Sequence, residues 1–319
     1  MENDTPLFSL YRPQQTAATV VGAGIAGPAA ALVLADSGDA VTVYDARPEH
    51  ELVSDGIIGI TQANVDSLTN LGVSFSAELP NTFTEWDTHK TRTSAYHYIT
   101  WTDMHLALVD AARAAGATFE FAHKVDKMPH TAIVILASGI GSASQVSTPA
   151  YTGYVVIRGL APQFAGTAWT TVRGTTPNGK PWLFNVGDTH EGASFEFFVA
   201  RDAVSFRTTY SAVAPAETAE LPAQFAALLK STPIFQQAPM SDWTVPRSMM
   251  APHGAYRIGD ALGQLRPQTS MGANLGIQEA LAINSLMLDD LTEADLLADR
   301  RRWYAFGIQA GIQRGKFGK

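Results

Sequence analysis

The chain of 319 residues contains no cysteine. That excludes disulfides, thiolate metal ligands and a cysteine nucleophile, and it fits a reducing compartment. Long apolar runs are missing too, since nothing approaches the roughly twenty residues a bilayer-spanning helix needs. The opening stretch MENDTPLFSLYRPQQ has neither a basic nor an apolar leader region, so the expected location is cytoplasmic and no membrane partner is expected. Basic charge is scarce: 22 Lys and Arg stand against 30 Asp and Glu, a net charge of −8. Nucleic-acid backbones are bound by clustered basic faces. The single basic run, Arg300-Arg301-Arg302, lies in an amphipathic helical pattern and reads as a solvated or domain-bracing face, so nucleic acid is not an expected partner. The eight histidines show no metal-ligand spacing, and neither His-Glu-x-x-His nor Gly-x-Ser-x-Gly occurs. No metal is expected.

What is present is 46% hydrophobic sequence with mixed helix and strand signals, the composition of a soluble α/β protein of about two domains. Its organising stretch is ATVVGAGIAGPAAALVLADSGDAVTVYDA. An apolar run, Ala18 to Val21, enters Gly22, Gly24 and Gly27; a helical pattern from Ile25 to Ala35 follows, then a second buried strand, Val41 to Tyr44, ending at Asp45. This is the β-α-β dinucleotide fingerprint: glycines for a sharp turn, close phosphate approach and tight packing, free helix N–H groups for a pyrophosphate, and an acid for an adenosine ribose. Gly22, Gly24, Ile25, Ala26, Gly27, Asp45, Ala46 and Arg47 are the first candidate cofactor residues.

Further on, Ile57 to Thr61 is a β-branched run before a helical pattern ending at Gly72, and Asp87, His89, Lys90 and Arg92 mark a polar excursion. A helix is expected from Tyr98 to a stop at Gly116, and Ala132 to Leu136 suits a strand buried on both faces. From about Tyr151 the character changes to five strand-like runs, TGYVVIRGL, TAWTTVRG, KPWLFNV, SFEFFVA and SFRTTYSAV, with Asn178-Gly179 suited to a tight hairpin. Glu217 to Lys230 read as helix, and Thr292 with Asp295 as the capping box of a last helix.

A second signature lies in YRIGDALGQLRPQTSMGANLGIQEALAI: Gly259-Asp260 after a short strand, then Pro267 and Gly272 ahead of a helix opening near Asn274. Together with the fingerprint and the segment Ala137-Ser138-Gly139-Ile140-Gly141-Ser142, it resembles the class A flavoprotein monooxygenases of the p-hydroxybenzoate hydroxylase fold. YTGYVVIRGL and LRPQTSMGA are most similar to the branch that includes 2,6-dihydroxypyridine 3-hydroxylase. The resemblance covers nearly the whole chain.

It implies an α/β fold: a Rossmann-like FAD-binding domain with a mostly parallel sheet (residues 1–75, 98–150 and 246–319) and an antiparallel-sheet substrate domain (76–97 and 151–245). It implies FAD, NAD(P)H as a transient reductant acting from solvent, O2, and a small aromatic or heteroaromatic substrate hydroxylated through a flavin C4a-hydroperoxide, in a monomer or homodimer. Gly259 and Asp260 would hold the ribityl chain. Gly272, Ala273 and Asn274 would aim a helix N-terminus at the flavin, and Pro267 and Gln268 would lie against the ring. The chain departs from the family pattern in four ways: Ser138 replaces an aspartate tied to nicotinamide handling, Trp101 replaces an arginine, Leu262-Gly263 replace Ala-His, and the hairpin before the segment at Ala137 is shortened. An oxidase, dehydrogenase or cyclase on the same FAD fold, or a non-catalytic nucleotide-binding protein, are the alternatives.

Candidate substrate contacts are Tyr154, Trp169, Phe184, Phe197, Phe206 and Tyr210, with sheet packing as the competing role for each. Arg158 is a candidate for a phosphate, flavin or substrate anion, or for an interdomain ion pair. His97 and His190 are candidate general bases.

Overall fold

The structure, a computed structural model, describes residues 15–52, 56–75, 81–139, 150–166, 169–176, 179–189, 192–201, 221–231, 234–242, 248–263, 271–287, 292–298, 300–302 and 305. Strand β1 (Ala17–Val21) runs into helix α1 (Ala26–Asp36) and returns as β2 (Ala40–Tyr44). Then come β3 (Ile57–Thr61), α2 (Gln62–Asn70), β4 (Thr82–Glu85), β5 (Lys90–Thr93), β6 (Tyr96–Thr100), α3 (Trp101–Ala114), β7 (Thr118–Glu120) and β8 (Ile133–Leu136). Strands β9 (Ala150–Leu160), β10 (Thr170–Thr175), β11 (Pro181–Thr189) and β12 (Gly192–Ala200) precede α4 (Ala223–Ser231), β13 (Ile234–Asp242), β14 (Tyr256–Arg257) and α5 (Met271–Met287).

Five strands form a parallel sheet in the order β14-β8-β1-β2-β7, and seven form a second sheet in the order β13-β9-β12-β11-β10-β4-β5. All pairings in the second sheet are antiparallel except β10 with β4. A two-stranded antiparallel sheet, β3 with β6, completes the set. This is the α/β architecture expected from the sequence. The core of the first part packs α1, α3 and α5 on the parallel sheet, with Val20, Leu32, Leu34, Met104, Leu108 and Ile277 fully buried. In the second part, Phe184, Phe195, Phe197 and Trp182 pack with Phe225 and Leu228 of α4.

Several local expectations are corrected. Tyr98 belongs to β6, not to a helix; α3 starts at Trp101 because the Thr100 side chain caps it, accepting from the Asp103 N–H at 2.9 Å. The Phe119 segment, read only as chain beyond a helix stop, is edge strand β7, paired to β2. The polar excursion at 87–92 covers the turn of the β4–β5 hairpin and the first residues of β5, and β13 matches no strand expected from the sequence. α5 starts at Met271, three residues before Asn274. The capping box is in place: Thr292 Oγ1 accepts from the Asp295 N–H, and the Thr292 N–H donates to Asp295 Oδ2, each at 3.2 Å. SFRTTYSAV, Glu217, Asn178 and His190 lie outside the described residues.

Candidate functional site

The glycine turn is built by contact. A Cβ on Gly22, where φ is +106°, would collide with the Ala137 backbone of the neighbouring β8 segment, and a Cβ on Gly27 would collide with the Gly22 carbonyl. Strand and helix therefore approach to a distance only hydrogen atoms permit. Ile25, at the N-cap of α1, supplies no side-chain cap, which leaves the first helical amides without an intrahelical partner.

Asp45 ends β2 and ties the turn together. Its carboxylate accepts from the Ala23 N–H at 2.8 Å, the Arg47 N–H at 2.9 Å, and Arg47 Nε and Nη2 at 3.0 Å each. Burial pushes the Asp45 carboxyl up, but the Arg47 and Ala23 hydrogen bonds outweigh it and hold the group below the usual carboxylate range. Four bonds fill what a carboxylate accepts. A ribose taken there must displace the half-exposed Arg47 guanidinium.

At the other end, Gly259, Asp260 and Ala261 form one short helical turn after β14. A Cβ on Gly259 would come within 2.9 Å of Ala26 Cβ, and one on Gly276 of α5 within 3.0 Å of the same atom. Three small residues thus let α1, α5 and the Gly-Asp turn meet. Burial raises the Asp260 carboxyl to about 6, against the opposing charge of Arg300. Asp260 Oδ1 lies 3.7 Å from where a Gly272 Cβ would stand, at the first turn of α5.

These parts line one cleft of about 1070 Å³. Its wall includes Gly22, Gly24, Ile25, Ala26, Asp45, Ala46, Arg47, Gly259, Asp260, Gly272 and Ala273, so most of the sequence-derived cofactor residues converge. The volume is at the upper end for ligand sites, as an extended dinucleotide requires. Gly27 is packed beneath the turn, outside the wall. Asn274 is turned away: fully buried, it donates to the Gly59 carbonyl at 2.7 Å and accepts from the Thr61 N–H at 2.9 Å and Asn64 Nδ2 at 2.8 Å, stapling β3 and α2 to α5.

The wall also contains residues the sequence did not single out for this cleft: Ile57, Ile58, His123, Lys124, Val125, Asp126 and Glu196. The stretch 123–126 follows β7, and without that strand nothing brought it to the glycine turn. Glu196 is the one acid in the apolar strand SFEFFVA, a signal that was readable. Ser138 and Trp101 line the cleft as well. Trp101 stacks on His105, with ring centroids 5.1 Å apart, and His105 Nδ1 lies 3.4 Å from the Gly24 carbonyl. Burial holds the His105 pKa below its ordinary value.

The large sheet meets the cleft through Arg158 and Glu196, which are opposite each other in register and joined by a 2.8 Å bond from Arg158 Nε to Glu196 Oε1. Tyr154 and Trp169 are on that same face; Trp169 packs on Gly187 and stacks on Tyr98. Phe184 and Phe197 are on the opposite face, fully buried against Phe225, and do not reach the cleft. Both faces of β11 and β12 are apolar, so period-two alternation did not reveal which side faces the cleft. His97 stands on β6, 2.5 Å from Gln62 Oε1, outside the wall. Pro267, Gln268, Phe206 and Tyr210 lie outside the described residues. Among the described residues no cluster fit to hold a metal occurs, and no helix is long and apolar enough to cross a membrane.

The fold thus defined, a parallel dinucleotide-type sheet joined to a large, mainly antiparallel one with a cleft between them, is shared with solved structures. CtdE, crystallised with FAD, superposes at a TM-score of 0.70 with 16% identity, covering 93% of each chain. A variant of 2-methyl-3-hydroxypyridine-5-carboxylic acid oxygenase gives 0.70 with 19% identity, covering 96% of this chain and 94% of its own. Klebsiella pneumoniae HpxO, complexed with FAD and uric acid, gives 0.69 with 19% identity, covering 97% and 91%. The p-hydroxybenzoate hydroxylase-like fold expected from the sequence is the fold found. No protein-family model and no curated protein sequence matches the chain.

Proposed function

We propose that the chain is an FAD-dependent monooxygenase that hydroxylates a small electron-rich aromatic or heteroaromatic compound, using NAD(P)H and O2. The observation that carries this reading is the convergence of two helix N-termini, those of α1 and α5, on one cleft with Asp45 near one and Asp260 near the other. The residues present fit the cofactor. The uncapped amides of α1 would take the pyrophosphate, Asp45 the adenosine ribose, and Asp260 the ribityl hydroxyls. FAD held there would supply the redox chemistry, hydride acceptance and activation of O2 for transfer of one oxygen atom.

The remaining work belongs to the chain. The N-terminal end of α5 provides a fixed positive field for a ring that becomes anionic on reduction. Ile57, Ile58 and Trp101 give the cleft an apolar wall that would disfavour water beside the ring. The Arg158–Glu196 pair offers the substrate one donor and one acceptor group on the sheet face. Pro267 and Gln268, which precede α5 in sequence, remain candidates for contact with ring and substrate. His97, outside the cleft wall, is given no role as a base in this reading. In this reading the parallel sheet belongs to the cofactor domain and the large sheet to the substrate domain. FAD and small aromatic ligands in the related solved structures support it.

The test has two stages. Cofactor released from the purified protein is identified as FAD; turnover of candidate phenols and hydroxypyridines with NAD(P)H under ¹⁸O2 then puts one labelled atom into product. A protein that retains no FAD, or that oxidises substrates without incorporating label, refutes the proposal.

A further inference from the structure

Behind the cleft is an ion pair that neither the fingerprint nor the Gly-Asp signature contains. Glu279 projects from the third turn of α5, and Arg300 comes from the helical residues that follow the Thr292 cap; they are 4% and 3% exposed and form a salt bridge. Both hold the Gly-Asp turn by its backbone. Glu279 Oε2 accepts from the Gly259 N–H at 2.7 Å, while Arg300 Nη2 donates to the Gly259 carbonyl at 3.2 Å and to the Gly263 carbonyl at 3.0 Å. One peptide unit on each side of the Gly259 α-carbon is thus fixed by a side chain from more than fifteen residues away in sequence. Asp260 follows directly.

We infer that the Arg300–Glu279 pair is a positioning device for Asp260: it pins the Gly259–Asp260 turn against α5 and balances the charge beside the Asp260 carboxylate, so that the segment around Arg300 sets how tightly FAD is held. The inference rests on the reading of the cleft as an FAD site, and it concerns two residues that touch no ligand themselves.

Three observations lead there. The turn is short and glycine-led, with Gly259 at a φ of +58°, so its conformation depends on outside contacts. Its neighbours are small and apolar: α1 presents Ala26 and α5 presents Gly276, while the charge that acts on Asp260 is that of Arg300, which is paired in turn with Glu279. Finally, a buried ion pair is a poor general stabiliser, because desolvation offsets its attraction. Here both members spend hydrogen bonds on the one turn that carries a cofactor-facing carboxylate. Arg300 favours the ionised form of Asp260, and Glu279 moderates that charge.

Opposite shifts follow. Arg300→Met removes the cation, so the pH at which Asp260 ionises rises; Glu279→Gln leaves Arg300 unbalanced, so that pH falls. The ionised carboxylate accepts ribityl hydroxyl bonds best. Fluorescence titration of FAD-stripped protein with FAD from pH 5 to 9 gives the dissociation constant at each pH. The wild type is expected to bind more tightly as pH rises through the Asp260 ionisation. Arg300→Met should move the midpoint up by about one pH unit and weaken binding at pH 7 at least tenfold, Glu279→Gln should move it down, and Arg300→Lys should restore the wild-type midpoint. A role in folding alone predicts that every variant loses affinity by one factor at all pH values. That result, or midpoints unmoved in both variants, overturns the inference while leaving FAD binding intact. If Arg300→Met does not fold, the Glu279→Gln shift decides alone; a wild type that binds no FAD at any pH defeats the functional reading itself.

Discussion

The glycine turn makes two substitutions of the same chemistry diverge, which tests the assignment of roles within one loop. Gly24 lines the cleft, its φ is outside the left-handed region, and a Cβ built on it meets nothing within 4 Å. Gly24→Ala therefore adds a methyl group into open space without backbone strain. By restricting the unfolded chain it should stabilise the FAD-free protein by about 0.4–1 kcal/mol. The same methyl occupies the space through which the turn's amides approach a phosphate. Losing that approach should cost FAD binding at least a hundredfold, about 2.7 kcal/mol. Gly27→Ala behaves differently, since its Cβ collides with the Gly22 carbonyl and helix must part from strand. Overpacking of this kind costs about 1–3 kcal/mol, and with the collision on backbone atoms the upper end is expected. Urea unfolding of both FAD-stripped variants, followed by FAD titration, separates the outcomes. Gly24→Ala should unfold at or above the wild-type midpoint yet fail to bind. If Gly24→Ala binds FAD as wild type does, the pyrophosphate is not at this turn.

Three further outcomes are expected. The Asp260 carboxyl is raised to about 6 by burial; a raised acid binds its proton more tightly when folded, so stability falls as pH rises from about 4 through 6. Asp260→Asn should remove that fall and stabilise the FAD-free protein at pH 7 by about 1–3 kcal/mol, read from urea melts at several pH values, while weakening FAD binding. His105, whose folded pKa is lowered by burial, is neutral in the fold and takes up a proton more easily when unfolded; stability should drop as pH falls below about 6.5. His105→Phe, which keeps a ring against Trp101, should flatten that slope in thermal melts. Phe184→Ala should destabilise the protein by about 3–5 kcal/mol while leaving the FAD dissociation constant of the folded fraction unchanged, because Phe184 packs on Phe225 behind the sheet.

Legibility in the sequence followed how each residue is constrained. Gly22, Gly27 and Asp45 were readable because backbone geometry admits few alternatives there: no other residue type fits the close approach, and the acid must end β2 to reach Ala23. Strands β1, β2, β8 and β9 to β12 were readable from apolar runs bounded by turns, whereas β4, β5, β7 and β13 were not. β5 is exposed throughout, β7 is three residues long, and β13 carries the sequence IFQQAPMSD, so none shows the periodicity that identifies a half-buried strand.

The substrate face was harder for a different reason. A strand buried on both sides carries apolar residues at every position, so Phe197 was as suitable as any neighbour, and only Glu196 marks the side that opens to the cleft. Asn274 and Arg300 invert the same lesson. Asn274 was read for the backbone amides of a helix start, and its side chain also serves as a buried staple to β3; Arg300, set in a basic run read as a solvated or domain-bracing face, braces the Gly-Asp turn. Local pattern marks the long buried elements, but the side to which one polar side chain turns is decided by which distant segment needs its hydrogen bonds. In this chain those segments meet where Ala26, Gly259 and Gly276 let three elements approach closely, because no side chain larger than the Ala26 methyl group holds them apart.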